Sequence, residues 1–341
     1  MRVQRIDPDD AAAFDAWYAV LSATDEERWP DLVDGQGEPG WSRREAHALT
    51  SAHDGATEYL CLAAVNASGQ TVGIGLCGVP QRDNRHSASL DVRVRPDARR
   101  RGIGTAMVAE AERRMAAEGR AVINGLFEVP TPQLDTSAAA PFARRLGFEA
   151  AQSGNRRYLT VPIEAARRTR LLDEVARAAV GYRTRTFTAP WPEEYLDDQC
   201  ELNRRMSTDQ PSGDLSHEEE VWDAARVAES DRNAAAQGLT RLVAVAEHIE
   251  SGRLVACSEL ALPRDHPVEA WQWVTIVLRE HRGHRLGLAV KLANLDVLAA
   301  TAPAVKLVIT GNAQENAPMI AVNDMLGFEV AATGTFWQKS L

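Results

Sequence analysis

The sequence predicts an α/β protein of two similar domains in tandem, each a mixed, mostly antiparallel sheet flanked by helices. Three observations carry that expectation. The chain has 341 residues, more than the roughly 250 at which a single core stops growing. One order of extended and helical segments runs through it twice. In each run a basic, glycine-bearing turn separates a strand from a long helix. The composition, 45% hydrophobic with 25% charged, is that of globular protein, so each half can bury a core.

The first run opens with a strand at residues 1–6 and a helix at 10–23 capped by Asp9 and Asp10. A Gly/Pro-rich turn at 35–40 leads to a second helix at 43–53. Strands at 58–65, 71–79 and 87–94 follow closely, with Ala67-Ser68-Gly69 as the first turn, which makes a meander. Ile103, Met107, Ala111 and Met115 recur at four-residue steps and stack on one face of a helix at 103–117, ended by Gly119. A strand at 121–127, a helix at 137–145 closing on Leu146-Gly147-Phe148, and a last strand complete the run.

The second run repeats the order. It has a strand at 182–188, helices at 193–205 and 218–236, and strands at 240–247, 254–262 and 270–278, with Ser251-Gly252 as the matching turn. A helix then places Leu288, Leu292, Leu295 and Ala299 on one face, and a strand at 306–310 precedes a helix at 315–325 that closes on Leu326-Gly327-Phe328. A repeat of roughly 180 residues is a duplicated domain rather than a solenoid, whose periods run about 20 to 50. The expected domains are 1–163 and 182–341, joined by a helical connector at 164–181 that is polar on one side.

A net charge of -10 offers no basic field for phosphate backbones, which excludes nucleic acid as the expected partner. The opening MRVQRIDPDD lacks an apolar stretch followed by a small-residue cleavage site, and no apolar run approaches the ~20 residues of a membrane span. A soluble, cytoplasmic protein is expected. Cys61, Cys77, Cys200 and Cys257 form no metal-ligand spacing, so no metal is expected and the thiols read as buried small hydrophobes.

The strongest chemical signal is Arg99-Arg100-Arg101-Gly102-Ile103-Gly104-Thr105, directly after the strand ending Val92-Arg93-Val94 and directly before a long helix. A helix start presents free N–H groups and the positive dipole end, a ready site for a pyrophosphate. Gly102 and Gly104 let backbone approach phosphate closely. No G-x-x-x-x-G-K-[ST] is present and no G-x-G-x-x-G follows the first strand, which excludes two other phosphate loops. The second copy reads Arg282-Gly283-His284-Arg285-Leu286-Gly287 after Ile276-Val277-Leu278, with Arg285 in place of the middle glycine.

This loop resembles the Q/R-x-x-G-x-G/A loop of the GNAT N-acetyltransferases, and the order of elements and the Gly-Phe closures extend the resemblance over nearly both halves. The resemblance implies two GNAT-like domains with acetyl-CoA as acyl donor. The loop amides would hold its pyrophosphate, and the fourth strand of each domain its pantetheine. Members often carry N-x-x-A-x-x-L-Y-x-x-x-G-F in the later helix, with Asn near pantetheine and Tyr protonating the departing thiolate. Aligned on the Gly-Phe closures, the second half has Asn316 and Asn323 at those places and the first half Thr136 and Ala143. Asn323 hydrogen-bonds and Ala143 does not. With Asn312 and other amides at the preceding strand end, this points to the second half as catalytic and the first as a binding or supporting copy.

An amine of ordinary pKa is neutral in only about one molecule in 2500 at pH 7, so a base is needed. Glu259, on the strand before the CoA-binding strand and among apolar neighbours, is the expected base, with His281 and His284 as alternatives and Asp91 as a weaker analogue in the first half. Between Glu193 and Asp231 stand thirteen acidic residues against Arg204, Arg205 and Arg226, a wall suited to a cationic acceptor; a solvated helix start at His217 to Glu220 accounts for part of it. Trp222, Trp271 and Trp273 either line that pocket or fill core. The expected partner is a small, cationic amine. A CoA-binding sensor without turnover, and a protein N-acetyltransferase, are the competing readings; monomer and homodimer both stay open.

Overall fold

A computed structural model describes residues 1–28, 40–52, 55–134 and 137–341. In chain order the first repeat gives β1 (Arg2–Arg5), α1 (Ala11–Arg28), α2 (Arg43–Thr50), β2 (Thr57–Val65), β3 (Thr71–Pro80), β4 (Ser87–Val94), α3 (Ile103–Ala117), β5 (Val122–Pro130), α4 (Ala139–Arg145) and β6 (Glu149–Thr160). α5 (Ala165–Ala178) follows. The second repeat gives β7 (Tyr182–Thr188), α6 (Leu196–Asp209), α7 (Ala224–Ala236), β8 (Leu239–His248), β9 (Leu254–Pro263), β10 (Glu269–Val277), α8 (Leu286–Thr301), β11 (Leu307–Ala313), α9 (Ala317–Leu326) and β12 (Glu329–Ser340). The expected turn at 35–39, His53 and Thr136 lie outside the described residues.

The chain forms two compact units, one of Met1–Ser153, Ser212–His217 and Thr333–Leu341, the other of Gly154–Pro211 and Glu218–Ala332. In the first, β1 to β4 form an antiparallel meander and β5 joins β4 in parallel. In the second, β7 to β10 repeat the meander, β11 joins β10 in parallel, and β6 pairs antiparallel with β11, Leu159 opposite Val308. The last strand of the first repeat thus runs into the second unit, and the end of the last strand of the second repeat belongs to the first.

Each sheet carries helices because its helices have one apolar stripe. On α3, Ile103, Met107, Ala111 and Met115 are all buried, the face that their spacing predicts. Phe14 and Trp17 of α1 fill a second cluster in the same unit. In the second unit α8 buries Leu286, Leu288, Val290 and Leu292, and Trp191 and Leu202 pack in a separate cluster with Val243 and Ile276. α5 is a structured part of this unit: Leu171 joins its core and Arg168 bonds Asp296 through two 2.7 Å contacts.

One expected boundary is corrected. α7 starts at Ala224, not at residue 218, because Asp223 accepts a 2.8 Å bond from Arg226 N and caps the helix there. His217 to Glu220 therefore do not begin a helix.

Candidate functional site

In both units the parallel pair of strands parts early. β4 and β5 share the pairs Ser87–Val122, Ala88–Ile123 and Ser89–Asn124, and β10 and β11 share Glu269–Leu307, Ala270–Val308 and Trp271–Ile309. Beyond these, β4 runs on to Val94 and β10 to Val277. Their backbone edges there are open to an extended ligand, next to the phosphate-type loops.

The loops have one shape built from different residues. In the first, Arg100 (φ 64°) and Gly102 (φ 78°) are left-handed; in the second, Gly283 (φ 88°) and Arg285 (φ 57°) are. Gly102 and Arg285 both stand immediately before their helices. The same two backbone positions turn left, and each copy places glycine at a different one of them. The missing middle glycine is thus offset by Gly283. A Cβ added at Gly102 or at Gly283 meets nothing within 4 Å, so both turns are open on the side where a phosphate would approach. These residues fit the pyrophosphate of an acyl-CoA at the starts of α3 and α8.

The leading arginines clamp the loops. Arg99 Nε donates to Val94 O at 3.0 Å and Arg282 Nε to Val277 O at 3.1 Å. Arg282 and Arg279 also reach Asp209 at the end of α6, at 2.6 and 2.9 Å. Arg93 is paired with Asp25 and Asp91, and Arg285 stands 3.6 Å from Glu174. Arg100, Arg101 and His284 are exposed at the loop surfaces.

The copies differ where chemistry would occur. β9 pairs with β10 in register until Gln272 faces Leu260; then Trp273 is extruded and Val274 faces Glu259. β3 and β4 show no such bulge: Cys77 faces Leu90 and Leu76 faces Asp91 without interruption. The bulge has a local cause, because Gln272 Nε2 donates to Glu259 O and Val274 O at 2.8 and 2.9 Å, and the first unit has Leu90 there. By this register Leu76, not Asp91, stands where Glu259 stands, which corrects Asp91 as an analogue. Asp91 instead accepts from Arg93 at 2.9 Å.

Glu259 is 6% exposed, so it does not face solvent at a strand edge. Trp191 Nε1 donates to Oε1 at 2.9 Å, and Arg241 lies 3.4 Å from Oε2. Nothing in the local sequence pattern of Trp191 or Arg241 marks them as partners of Glu259. A carboxylate has about four lone-pair sites, so each oxygen can still accept from a water or an amine. Asn323 is fully buried and bonds Asn312. Asn316 does not reach into the gap through its amide oxygen: that atom caps α9 by accepting from Met319 N at 3.3 Å. His281 Nδ1 is 2.9 Å from the Tyr182 hydroxyl, and burial, with His248 nearby, lowers its pKa.

Much of the acidic wall is internally neutralised. Arg204 pairs with Glu201 and Glu219, Arg226 with Glu220, Arg253 with Asp198 and Arg241 with Asp231. Glu193, Glu194 and Asp197 stay exposed at the start of α6. Trp222 stacks under Arg226, and Trp271 under Arg156. Burial pushes the Cys61 and Cys77 thiols up to about 12, so neither is a thiolate nucleophile near neutrality. Among the described residues no group of His, Cys, Asp and Glu could hold a metal ion, and no helix is long and apolar enough to cross a membrane.

Residues 15–148 match the sequence family described as Acetyltransferase (GNAT) family. No curated protein matches the sequence significantly. Among solved structures, the chain is similar to a "Tandem GNAT protein from the clavulanic acid biosynthesis pathway (without AcCoA)", with 25% identity, 99% of this chain and 98% of that one covered, and a TM-score of 0.77. It is also similar to a GCN5-related N-acetyltransferase from Sphaerobacter thermophilus, at 16% identity, 99% and 95% coverage and a TM-score of 0.64. A glucosamine N-acetyltransferase region of a fungal multi-domain GH3 β-N-acetylglucosaminidase matches at 12% identity, 99% and 38% coverage and a TM-score of 0.68; at such identities these two show the fold. Residues 15–148 thus match the GNAT acetyltransferase family, and the chain as a whole has the tandem GNAT fold.

Proposed function

We propose that the protein transfers an acetyl group from acetyl-CoA to a small, cationic amine, with the chemistry in the second unit and the first unit a CoA-binding copy. The observation that carries this reading is the β10 bulge at Trp273 beside the buried carboxylate Glu259. Bulges commonly re-aim groups next to active sites, and the first unit has neither bulge nor carboxylate at the matching places. Acetyl-CoA as donor is supported by the two loops and by the similarity to a tandem GNAT structure described as lacking AcCoA.

In this reading the loop amides at 282–287 and the open edge of β10 hold the donor. The amine nitrogen bonds the thioester carbon, the C–S bond breaks, and the electron pair leaves on sulfur. Glu259 takes the proton that the amine sheds, through a water on a free lone pair of either oxygen. Glu193, Glu194 and Asp197 supply the negative field for a cation. The first unit has Ala143 in place of Asn323, so that unit suits binding without turnover.

Release of CoA thiol from acetyl-CoA with a panel of polyamines, aminoglycosides and amino sugars tests the reading. An enzyme of this class releases thiol with at least one of them. Saturable CoA binding with no release across the panel would favour a sensor, and release only with peptide amines would favour a protein N-acetyltransferase.

A further inference from the structure

α8 is apolar along the face that it buries, with two exceptions: Asn294, whose Nδ2 donates to Ser258 O at 2.7 Å, and Lys291. Lys291 is 2% exposed, its Nζ 2.8 Å from Asn323 Oδ1 on α9 and 5.2 Å from the centre of the Phe328 ring. Asn323 in turn donates Nδ2 to Asn312 Oδ1 at 2.5 Å. Asn312 is half-buried, three residues past Ile309, the last β11 residue paired with β10, and so lies where those strands part.

The first unit replaces all three. Val108 is the sixth residue of α3 as Lys291 is of α8. Ala143 precedes Gly147 as Asn323 precedes Gly327. Phe127 lies as far past Asn124 as Asn312 past Ile309. Val108, Phe127 and Ala143 line an apolar pocket together with Leu90, Phe148 and Trp337. One unit thus fills this place with hydrocarbon, and the other with a buried chain of lysine and two amides. Burying an ammonium costs stability unless something is gained.

The chain has a polarity. An ammonium only donates, so Asn323 must turn its oxygen to Lys291 and its nitrogen to Asn312; Asn312 must then accept through Oδ1, which leaves its NH2 as the far end. We propose that Lys291 is a positioning residue for the leaving thiolate: through Asn323 it turns the Asn312 amide donor-first toward the sulfur of an acyl-CoA bound between β10 and β11. This rests on the reading that the second unit is the catalytic one. When the C–S bond breaks, its electron pair stays on sulfur, the Asn312 N–H stabilises that charge, and no proton crosses the amides. A neutral lysine amine accepts as well as donates, so on deprotonation the chain can reverse and aim Asn312 Oδ1 at the sulfur, which disfavours a thiolate. Burial alone brings the Lys291 pKa down to about 7, and the groups that contact it are the neutral Asn323 amide and the Phe328 ring. The reversal therefore falls near neutrality in the unliganded protein, and a thiolate would hold the proton on to higher pH.

The test uses CoA itself as the probe, with the bound thiolate followed by ultraviolet absorbance as pH is raised. Wild type should hold about tenfold more thiolate near neutral pH than Lys291→Met, about one unit in the apparent pKa of the bound thiol. Asn312→Ala, which leaves Lys291 in place and sits at a half-buried position, should lose the same signal and serves if Lys291→Met does not fold. Identical titrations in wild type and either folded variant would overturn the proposal. Gly287→Glu separates this from the reading on which it rests: it should remove one bound CoA per chain together with the Lys291-dependent thiolate. If that thiolate persists in Gly287→Glu, the site has been misplaced and both readings fall.

Discussion

Glu259→Gln is expected to lower kcat by ~10²- to 10⁴-fold with little change in acetyl-CoA affinity. The carboxylate is held by Trp191 Nε1 and Arg241, so its position is fixed before any substrate arrives. Glutamine keeps the size and one acceptor oxygen but cannot take a proton. The loss should shrink as pH rises, because more of the acceptor amine then arrives deprotonated and the base is less needed. Steady-state kcat against pH, with thiol release as readout, measures both effects. Wild-type kcat with an unaltered profile would make Glu259 the structural partner of Trp191 and Arg241, and would pass the base to a water chain or to His281.

Lys291→Met is expected to make the protein more stable by about 2–4 kcal/mol near pH 6. Lys291 titrates at about 7 when folded against an ordinary 10.5, so between those values the unfolded chain holds a proton that the folded one lacks. Wild-type stability then rises with pH through that window, and the cost of the buried ammonium is fully present only below it. Methionine carries no such cost. Its advantage should be largest below about pH 7 and fade toward pH 10, as read from urea midpoints at several pH values. Equal stability across the range would mean that Lys291 is solvated in the fold and keeps an ordinary lysine pKa.

Much of the fold is legible in the residues. Four-residue steps on α3 and the two Gly-Phe closures mark the helices that cover each sheet, and the doubled order of elements marks the tandem. The start of α7 is not legible, because Glu218 to Glu220 have helical composition while the capping bond from Arg226 N to Asp223 decides the boundary. The course of β6 and β12 is a matter of long-range pairing that local periodicity cannot carry. At the site, the loops announce themselves, yet the compensation of Arg285 by Gly283 appears only in backbone angles. Lys291 carries a legible signal: one lysine in LGLAVKLANL, on the face of the helix that its leucines bury. Trp191 and Arg241 carry none, since Arg241 reaches Glu259 only through the pairing of β8 with β9, and Trp191 only through the course of the segment after β7.

The division of labour between the units is tested most directly by placing a carboxylate in each loop in turn and comparing turnover. An added Cβ at Gly287 stands 3.7 Å from Val277 and one at Gly104 stands 3.1 Å from Phe142; both substitutions put negative charge where pyrophosphate would bind at a helix start. With CoA thiol release measured under saturating acetyl-CoA and with circular dichroism as the check on folding, Gly287→Glu should abolish turnover while Gly104→Glu retains most of it. Turnover lost in Gly104→Glu and kept in Gly287→Glu would put the chemistry in the first unit and contradict the assignment.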